Sequence, residues 1–141
     1  MKSNLKVYVA GPLCMEEERK FLEKIDKLCK KLGLGTFLPH RDCGLWEKIT
    51  DAKKIASGDI KGFENCDFLI AVLNGFNVGA GTAWEMGYAY AKNIPIIAIK
   101  TDRKPEDSHQ EISAIVYGTT KIVTSLNELE IEMKKLIERL G

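Results

Sequence analysis

One acidic residue, Glu85, is placed where a carboxylate can take part in chemistry. It lies in the stretch NVGAGTAWEMGYAYAKN, and no cation occupies the helix positions three or four residues away from it. An ordinary surface ion pair is therefore excluded, and the small neighbouring residues leave space beside the carboxylate. An acid near a helix N-terminus can also serve the helix dipole alone, so position leaves a structural and a functional role open.

Two further residues are candidates for acid–base chemistry. Asp59 follows Ser57-Gly58, where the sequence predicts a break in a helix, so the aspartate is either an N-cap for the next turn or a second acid of a site. Tyr8 lies in the β-branched run 6–10, where its ring can belong to the core while its hydroxyl reaches the edge. The local pattern leaves both roles open for each residue.

The elements that must position these residues alternate along the chain. Apolar or β-branched runs, typical of strands, alternate with segments of helical spacing. The predicted strands are 6–10, 36–38, 67–73, 95–100 and 121–124, and the predicted helices are 16–32, 51–65, 81–92, 110–117 and 126–140, with a loop at 40–49. This alternation predicts an α/β fold with a doubly wound, five-stranded parallel sheet, a flavodoxin-like or Rossmann-like three-layer sandwich. The length of 141 residues predicts a single domain over 1–141.

The fold also predicts where a ligand binds. In open α/β sheets, ligands lie beyond the carboxyl ends of the strands, where the strand order reverses. For the common order 2-1-3-4-5, this crevice lies between the first and third strands, which end at Gly11-Pro12 and Asn74-Gly75. Glu85 belongs to the helix after the third strand, so we expect its carboxylate to point at the crevice.

The composition favours a small-molecule ligand. The 21 basic and 20 acidic residues leave no basic surplus that would favour nucleic acid. Scattered thiols are typical of a reducing compartment, no signal peptide is recognised, and no apolar run is long enough to span a bilayer. We therefore expect a cytoplasmic protein without a membrane partner.

Neither a metal nor a nucleotide cofactor is expected. The four cysteines form no C-x-x-C pair and the chain has only two histidines, so a zinc site at His40 and Cys43 is not predicted. The run 79–84 begins like the dinucleotide motif G-x-G-x-x-G, but tryptophan replaces its third glycine. The run also follows the third strand, whereas the motif belongs after the first.

Three blocks make the chain resemble the nucleoside 2-deoxyribosyltransferase family over residues 6–124. The blocks are Y-V-A-G-P at 8–12, D-I-K-G-F-E-N-C-D at 59–67 and G-T-A-W-E-M-G-Y-A-Y-A at 81–91. The last block is the most specific of the three. The resemblance implies the same doubly wound fold. It also implies cleavage of the N-glycosidic bond of a 2'-deoxynucleoside, with transfer of the sugar to another base.

The resemblance implies a role for each of the three candidate residues. Glu85 is implied to be the nucleophile, Asp59 the proton donor or stabiliser near the leaving base, and Tyr8 the residue that orients the glutamate. Breaking the bond builds positive charge on the sugar. A carboxylate on the opposite face can stabilise that charge and then bond to the anomeric carbon. The covalent glutamyl intermediate reacts with another base (transfer) or with water (hydrolysis).

A sister family, the 2'-deoxynucleoside 5'-monophosphate N-glycoside hydrolases, is also similar. Its first loop resembles G-S-x-R-G-G, whereas this chain has Gly11-Pro12-Leu13-Cys14, which favours an unphosphorylated nucleoside. The segment I-S-A-I-V-Y-G at 112–118 resembles the hydrolase segment whose serine reaches the phosphate of a neighbouring subunit, a position held by Ser113. Arg41 can replace the missing arginine. The hydrolase therefore stays an alternative.

The chain also departs from the transferase pattern. Many transferases carry an aspartate six residues before the nucleophile, where this chain has Gly79. Contacts with base or sugar are therefore expected from Asn74, Asn77 or the backbone of 75–80. The departure also keeps a third alternative open, a nucleotide-binding module without catalysis. The predicted substrate-binding residues are Gly11, Pro12, Arg41, Asn74, Asn77, Gly79, Gly81 and Ser113.

Both families complete their site with a neighbouring subunit. The resemblance therefore implies a homodimer or a higher oligomer, with Ile112, Ile115, Val116 and Tyr117 as interface residues. The implied partners are a deoxynucleoside or deoxynucleotide and a free nucleobase.

Overall fold

Five parallel strands form one sheet in the order β2-β1-β3-β4-β5. The computed structural model describes residues 4–141. The strands are β1 (Lys6–Ala10), β2 (Gly35–Phe37), β3 (Phe68–Val72), β4 (Ile96–Ile99) and β5 (Lys121–Val123). The strand order reverses between β1 and β3, which confirms the predicted doubly wound sheet and the predicted position of its crevice.

Six α-helices connect and follow the strands. They are α1 (Glu16–Lys31), α2 (Pro39–Asp42), α3 (Ala52–Glu64), α4 (Ala80–Ala91), α5 (Ala114–Thr119) and α6 (Leu126–Leu140). The helix α2 begins one residue before the predicted loop 40–49 and overlaps its first three residues, and α5 begins four residues after its predicted start at 110. None of the helices within residues 4–141 is long and apolar enough to cross a membrane.

Alternate residues of the central strand β1 pack into two separate cores. Val7 and Val9 belong to the core that α1 and α6 cover, whereas Tyr8 and Ala10 belong to the core that α3 and α4 cover. Successive side chains of a strand point to opposite faces of its sheet. The strand therefore directs Tyr8 towards the helices that carry Asp59 and Glu85.

The helix α3 runs without a break, so the predicted interruption at Ser57-Gly58 is wrong. The glycines of α3 serve tertiary packing instead. A Cβ atom at Gly58 would lie 2.5 Å from Sγ of Cys43, and one at Gly62 would lie 2.8 Å from three ring atoms of Phe37. Asp59 therefore lies inside the helix, and its predicted alternative role as an N-cap is also wrong.

Candidate active site

A cavity of about 550 Å³ lies at the carboxyl ends of β1 and β3. This volume falls in the usual range for small-molecule sites. Its wall brings together six of the predicted site residues, namely Gly11, Pro12, Asp59, Gly79, Gly81 and Glu85. The remaining lining residues are Leu13, Cys14, Glu18, Pro39, Trp46, Ala56, Ile60, Phe63, Ala80, Thr82 and Trp84.

Glu85 lies in the second turn of α4 and is fixed by a hydrogen bond from β1. The hydroxyl of Tyr8 donates to Oε2 of the glutamate. The helix-dipole effect falls off within the first turn, so the dipole does not account for an acid at this position. The tyrosine ring is fully buried and stacks on Phe63 with ring centroids 3.8 Å apart and on Phe37 at 5.1 Å.

Burial makes Glu85 a weak acid. Desolvation raises the pKa of its carboxyl to about 7, the Tyr8 hydrogen bond opposes this rise, and the charge of Asp59 adds to it. The pKa of the Tyr8 hydroxyl is also raised far above its ordinary value, by burial and then by Glu85. The tyrosine is therefore a permanent donor, while the glutamate changes charge near neutral pH.

Asp59 faces the same cavity with one oxygen unused. Its Oδ1 atom is buried and has no hydrogen-bond partner among residues 4–141. Burial raises the pKa of the Asp59 carboxyl, and the neighbouring thiol of Cys43 opposes this rise. A buried polar atom without a partner costs about 1–3 kcal/mol. Such an atom in a cavity wall is suited to bind a ligand.

Two of the predicted substrate-binding residues are engaged outside the cavity. Arg41 forms a fork with Asp42 at 2.8 and 2.9 Å and also contacts Oδ1 of Asp26 at 3.2 Å. Asn74 exchanges hydrogen bonds of 2.9 Å with the side chain and backbone of Thr101, and so joins the ends of β3 and β4. These partners occupy the polar groups of both residues.

The two other predicted residues also lie away from the cavity wall. Asn77 is exposed in the loop before α4 and is not among the lining residues. Ser113 is the N-cap of α5 and lines a second, smaller cavity of about 280 Å³ between α4 and α5, together with Met86 and Tyr90. Ser113 and Glu85 therefore line different cavities of the chain.

A buried lysine, Lys100, stabilises the loop between β3 and α4 through hydrogen bonds to its backbone. Nζ of Lys100 lies 3.2 Å from the carbonyl oxygens of both Leu73 and Gly75, 3.0 Å from Asp102 and 3.5 Å from Glu111. Two carboxylates and two carbonyl groups thus satisfy a fully buried cation. The lysine fixes the backbone that leads to the glycines at the start of α4.

Both tryptophans of the chain line the cavity, although the sequence analysis did not select them. Trp46 lies in the loop after α2 and Trp84 directly precedes the glutamate in α4; their exposed fractions are 61% and 56%. The ring of Trp84 stacks on Tyr88 at 5.7 Å, and Tyr88 contacts Phe63 at 5.5 Å. The position of Trp46 in the predicted loop 40–49 and of Trp84 directly before Glu85 were the signals in the sequence that could have identified them.

The charged residues of the cavity wall are all acidic. They are Glu18, Asp59 and Glu85, and no Lys, Arg or His lines the wall within the part of the chain that the structure describes. The carboxylate of Glu18 accepts a 2.8 Å hydrogen bond from the backbone of Met15, at the start of α1. No group of three metal-ligating side chains is found in residues 4–141.

Comparison with known proteins agrees with this fold. A conserved protein from Enterococcus faecalis V583 is 27% identical, with a TM-score of 0.79 over 94% of this chain and 98% of that one. A 2-deoxyribosyltransferase from Leishmania mexicana is 20% identical (TM-score 0.68, coverage 88% and 93%), and a CMP N-glycosidase from Clostridium botulinum is also 20% identical (0.56, coverage 92% and 98%). At such identities the likeness shows the shared fold.

The family assignment comes from the sequence over most of its length. No curated protein sequence matches the chain. The model of the family described as nucleoside 2-deoxyribosyltransferase matches residues 7–136, a range that contains all three blocks of the predicted resemblance and confirms it. The chain belongs to the nucleoside 2-deoxyribosyltransferase family.

Proposed function

We propose that this protein transfers a 2-deoxyribosyl group from a deoxynucleoside to another nucleobase through a covalent ester with Glu85. The observation that carries the proposal is the pair of half-buried acids, Glu85 and Asp59, in the wall of one cavity, with Tyr8 fixing the first of them. A carboxylate nucleophile and a second acid are the groups that cleavage of a glycosidic bond needs.

In the first step the carboxylate of Glu85 attacks the anomeric carbon as the bond to the base breaks. The electron pair of that bond leaves with the base, which takes a proton or a hydrogen bond from Asp59. A second base then attacks the same carbon, gives its N–H proton to the carboxylate of Asp59, and releases Glu85 as a carboxylate. Burial and the charge of Asp59 disfavour the ionised form of Glu85, because water solvates its carboxylate poorly. The same lack of solvation means that a positive charge developing on the sugar is strongly attracted to this carboxylate.

Asp59 is suited to the role of acid because burial raises the pKa of its carboxyl. A raised pKa keeps the group protonated closer to neutral pH, where it can donate to the departing base. Its unpartnered Oδ1 supplies the atom that such a contact requires. General acid help of this kind is typically worth about 10²–10⁴-fold in rate.

The cavity wall supports a neutral substrate with an aromatic base. The rings of Trp46 and Trp84 offer flat apolar surfaces on which a nucleobase can stack. The carboxylate of Glu18 and the lack of a lining cation in the described residues disfavour a phosphate group. These features favour a deoxynucleoside over a deoxynucleoside 5'-monophosphate.

A second candidate function is hydrolysis of the N-glycosidic bond of a 5'-monophosphate. The fold shared with the Clostridium botulinum CMP N-glycosidase supports it, and so does Ser113. This serine lies beside a second cavity on the outer side of α4, where a neighbouring subunit can approach. Arg41 gives this candidate no support, because its guanidinium is engaged by Asp26 and Asp42.

The proposed enzyme is a homodimer or a higher oligomer. Near α5, Ile115 and Tyr117 have exposed fractions of 74% and 48%, which suits an interface between subunits. Ile112 is 2% exposed and belongs to the core, so the prediction that it forms part of the interface is wrong. The first turn of α5, with Ser113 and Ile115, remains the surface proposed for this contact.

The proposal is tested by incubating the protein with a deoxynucleoside or its 5'-monophosphate, with and without a free acceptor base. We expect base exchange from the deoxynucleoside that depends on acceptor and is lost in Glu85→Ala. The control Glu138→Ala removes an exposed acid of α6 and should keep full activity.

Each outcome decides between the candidates. Base release from the monophosphate without an acceptor would support the hydrolase instead. Ligand binding without any base release would indicate a non-catalytic binding module. Exchange that persists in Glu85→Ala would contradict both enzymatic proposals, because each requires this carboxylate.

A further inference from the structure

The hydroxyl of Thr82 has no hydrogen-bond partner among residues 4–141, although the residue is only 4% exposed. Thr82 lies in the first turn of α4 and lines the cavity. In the same residues, the side-chain atoms that are sealed from solvent without a partner are Nδ1 of His40 and Oδ1 of Asp59. The Oγ1 atom of Thr82 therefore keeps contact with the cavity space, where a ligand can reach it.

Two glycines of the cavity wall leave this hydroxyl uncovered. A Cβ atom at Gly79 would lie 3.7 Å from Oγ1 of Thr82, and a Cβ atom at Gly81 would meet nothing within 4 Å. A longer side chain at position 79 would lie against the hydroxyl, whereas glycine leaves room there for a group of the ligand. Both glycines line the same cavity as Thr82.

Thr82 and Glu85 lie on one face of α4, because residues three positions apart on a helix are neighbours, with Cβ atoms about 5–6 Å apart. In the proposed reaction, Glu85 attacks the sugar from the face opposite the base. In a 2'-deoxynucleoside the base and the 5'-carbon project from one face of the sugar ring, and the 3'-hydroxyl projects from the other. The face of the sugar that meets Glu85 is therefore the face that carries the 3'-hydroxyl.

We propose that the hydroxyl of Thr82 binds the 3'-hydroxyl of the sugar and selects substrates that carry this group. The inference rests on the proposed function, in which Glu85 attacks the sugar. The acids of the cavity wall only accept hydrogen bonds when they are ionised, whereas a threonine hydroxyl both donates and accepts. Thr82 can therefore pair with a sugar hydroxyl in either direction, and the bond positions the ring without adding a charge beside Glu85.

The test combines variants of Thr82 with substrates that have or lack the 3'-hydroxyl. Thr82→Val removes the side-chain hydroxyl and keeps the branched shape, whereas Thr82→Ser keeps a hydroxyl. The measurement is kcat/KM for a 2'-deoxynucleoside and for the 2',3'-dideoxynucleoside with the same base. Thr82→Val should lower the value for the deoxynucleoside about 3- to 10-fold and that for the dideoxynucleoside by less than about twofold, because only the first substrate loses a hydrogen bond. Thr82→Ser should restore the value for the deoxynucleoside.

Two controls identify the hydroxyl that is bound. Thr50→Val removes an exposed hydroxyl outside the cavity and should leave the turnover of every substrate unchanged. With a 2',5'-dideoxynucleoside, which keeps the 3'-hydroxyl, Thr82→Val should show its full effect. An equal loss of kcat/KM for all three nucleosides would overturn the inference, because it would show that Thr82 acts on the base or on the packing of α4.

A binding measurement separates this inference from the proposed function. Calorimetry compares the affinity of Glu85→Gln for the deoxynucleoside and the 2',3'-dideoxynucleoside, with and without the additional change Thr82→Val. The second change should weaken binding of the deoxynucleoside about 3- to 10-fold and leave that of the dideoxynucleoside unchanged. Equal weakening for both nucleosides, or none for either, would overturn the role of Thr82. Absence of turnover in the unmodified protein would instead contradict the proposed function, and the affinities would still decide on Thr82.

Discussion

The hydroxyl of Tyr8 donates a hydrogen bond to Oε2 of Glu85, which lies 77 residues further along the chain. The bond joins the central strand β1 to the helix α4 across the wall of the cavity. The side chain of Tyr8 is fully buried, so it contacts neither solvent nor a ligand directly. Its hydroxyl therefore serves only the carboxylate of Glu85. The surroundings of the glutamate determine its orientation and its pKa, and through the pKa they affect the stability of the protein.

Removal of the tyrosine hydroxyl should make the glutamate a weaker acid. The Tyr8 bond lowers a carboxyl pKa that burial has raised to about 7. In Tyr8→Phe we expect the acidic limb of the kcat/KM profile to move up by roughly one pH unit, the equivalent of one hydrogen bond. The rate should fall most below pH 7 and less at pH 9. An unchanged limb in the profile of this variant would show that Glu85 is not the group that titrates.

The half-buried Glu85 should make the protein less stable as the pH rises. The folded state holds the proton up to about pH 7, whereas an ordinary glutamate releases it near 4.5. The folded protein therefore binds more protons in this window, and the free energy of unfolding falls with increasing pH. We expect Glu85→Gln to remove this fall, worth up to about 3 kcal/mol between pH 4.5 and 7. Urea unfolding of both proteins at pH 4.5 and pH 7 tests this expectation. An equal fall in the free energy of unfolding in the two proteins would refute it.

Glu18 should discriminate against phosphorylated substrates. Its carboxylate lines the cavity at the start of α1, whereas Glu17 in the same turn does not. In Glu18→Gln we expect the ratio of monophosphate to nucleoside turnover to rise about fivefold, as loss of roughly 1 kcal/mol of repulsion predicts. Glu17→Gln is the matched control and should keep the original ratio. Equal ratios in both variants would count against a role for Glu18.

Trp46 should contribute to binding of the base more than to the chemical step. Its ring lines the cavity from a loop that carries none of the proposed catalytic groups. Since stacking of a base on an aromatic side chain is worth about 1–3 kcal/mol, Trp46→Ala should raise KM for the acceptor base roughly 5- to 150-fold. The exposed Ile131 of α6 provides the control variant Ile131→Ala. A loss confined to kcat would contradict the binding role.

Gly62 should resist substitution although alanine favours a helix. A Cβ atom there would lie 2.8 Å from the ring of Phe37, which stacks on Tyr8. We expect Gly62→Ala to lower the free energy of unfolding by about 1–2 kcal/mol, because overpacking outweighs the gain in helix propensity. A Cβ atom at Gly87 of α4 would meet nothing within 4 Å, so Gly87→Ala should be neutral or stabilising. Thermal unfolding of both variants provides the comparison.

The strands and helices could be predicted well from the sequence, because the spacing of apolar residues within each segment determines which element it forms. The strand Lys6–Ala10 and the helix Leu126–Leu140 have the predicted bounds, and the strand order is the common order 2-1-3-4-5 that was used to place the crevice. The break at Gly58 was wrong because local reasoning treats glycine as a breaker, whereas here it accommodates a sulfur from another element. Contacts of that kind join distant positions and leave no periodic signal.

The prediction of the site shows the same division. The blocks around Asp59 and Glu85 located two of the three acids of the cavity wall. Arg41 was selected for its charge, but its partner Asp26 comes from a different helix and is recognisable only in three dimensions. Asn74 likewise has its partner in Thr101, after the next strand. Polar residues in loops are therefore the least predictable part of the site.

The aromatic contacts form one continuous series of five rings. From the edge strand to the cavity, the rings are Phe37, Tyr8, Phe63, Tyr88 and Trp84, with neighbouring centroids 3.8 to 5.7 Å apart. The second ring of the series, Tyr8, carries the donor to the proposed nucleophile, and the last ring, Trp84, is the proposed surface for the base. Reactivity and base preference are therefore not independent traits of this scaffold. A substitution that changes either Tyr8 or Trp84, by evolution or by engineering, must therefore be accompanied by an adjustment of the packing of the other ring.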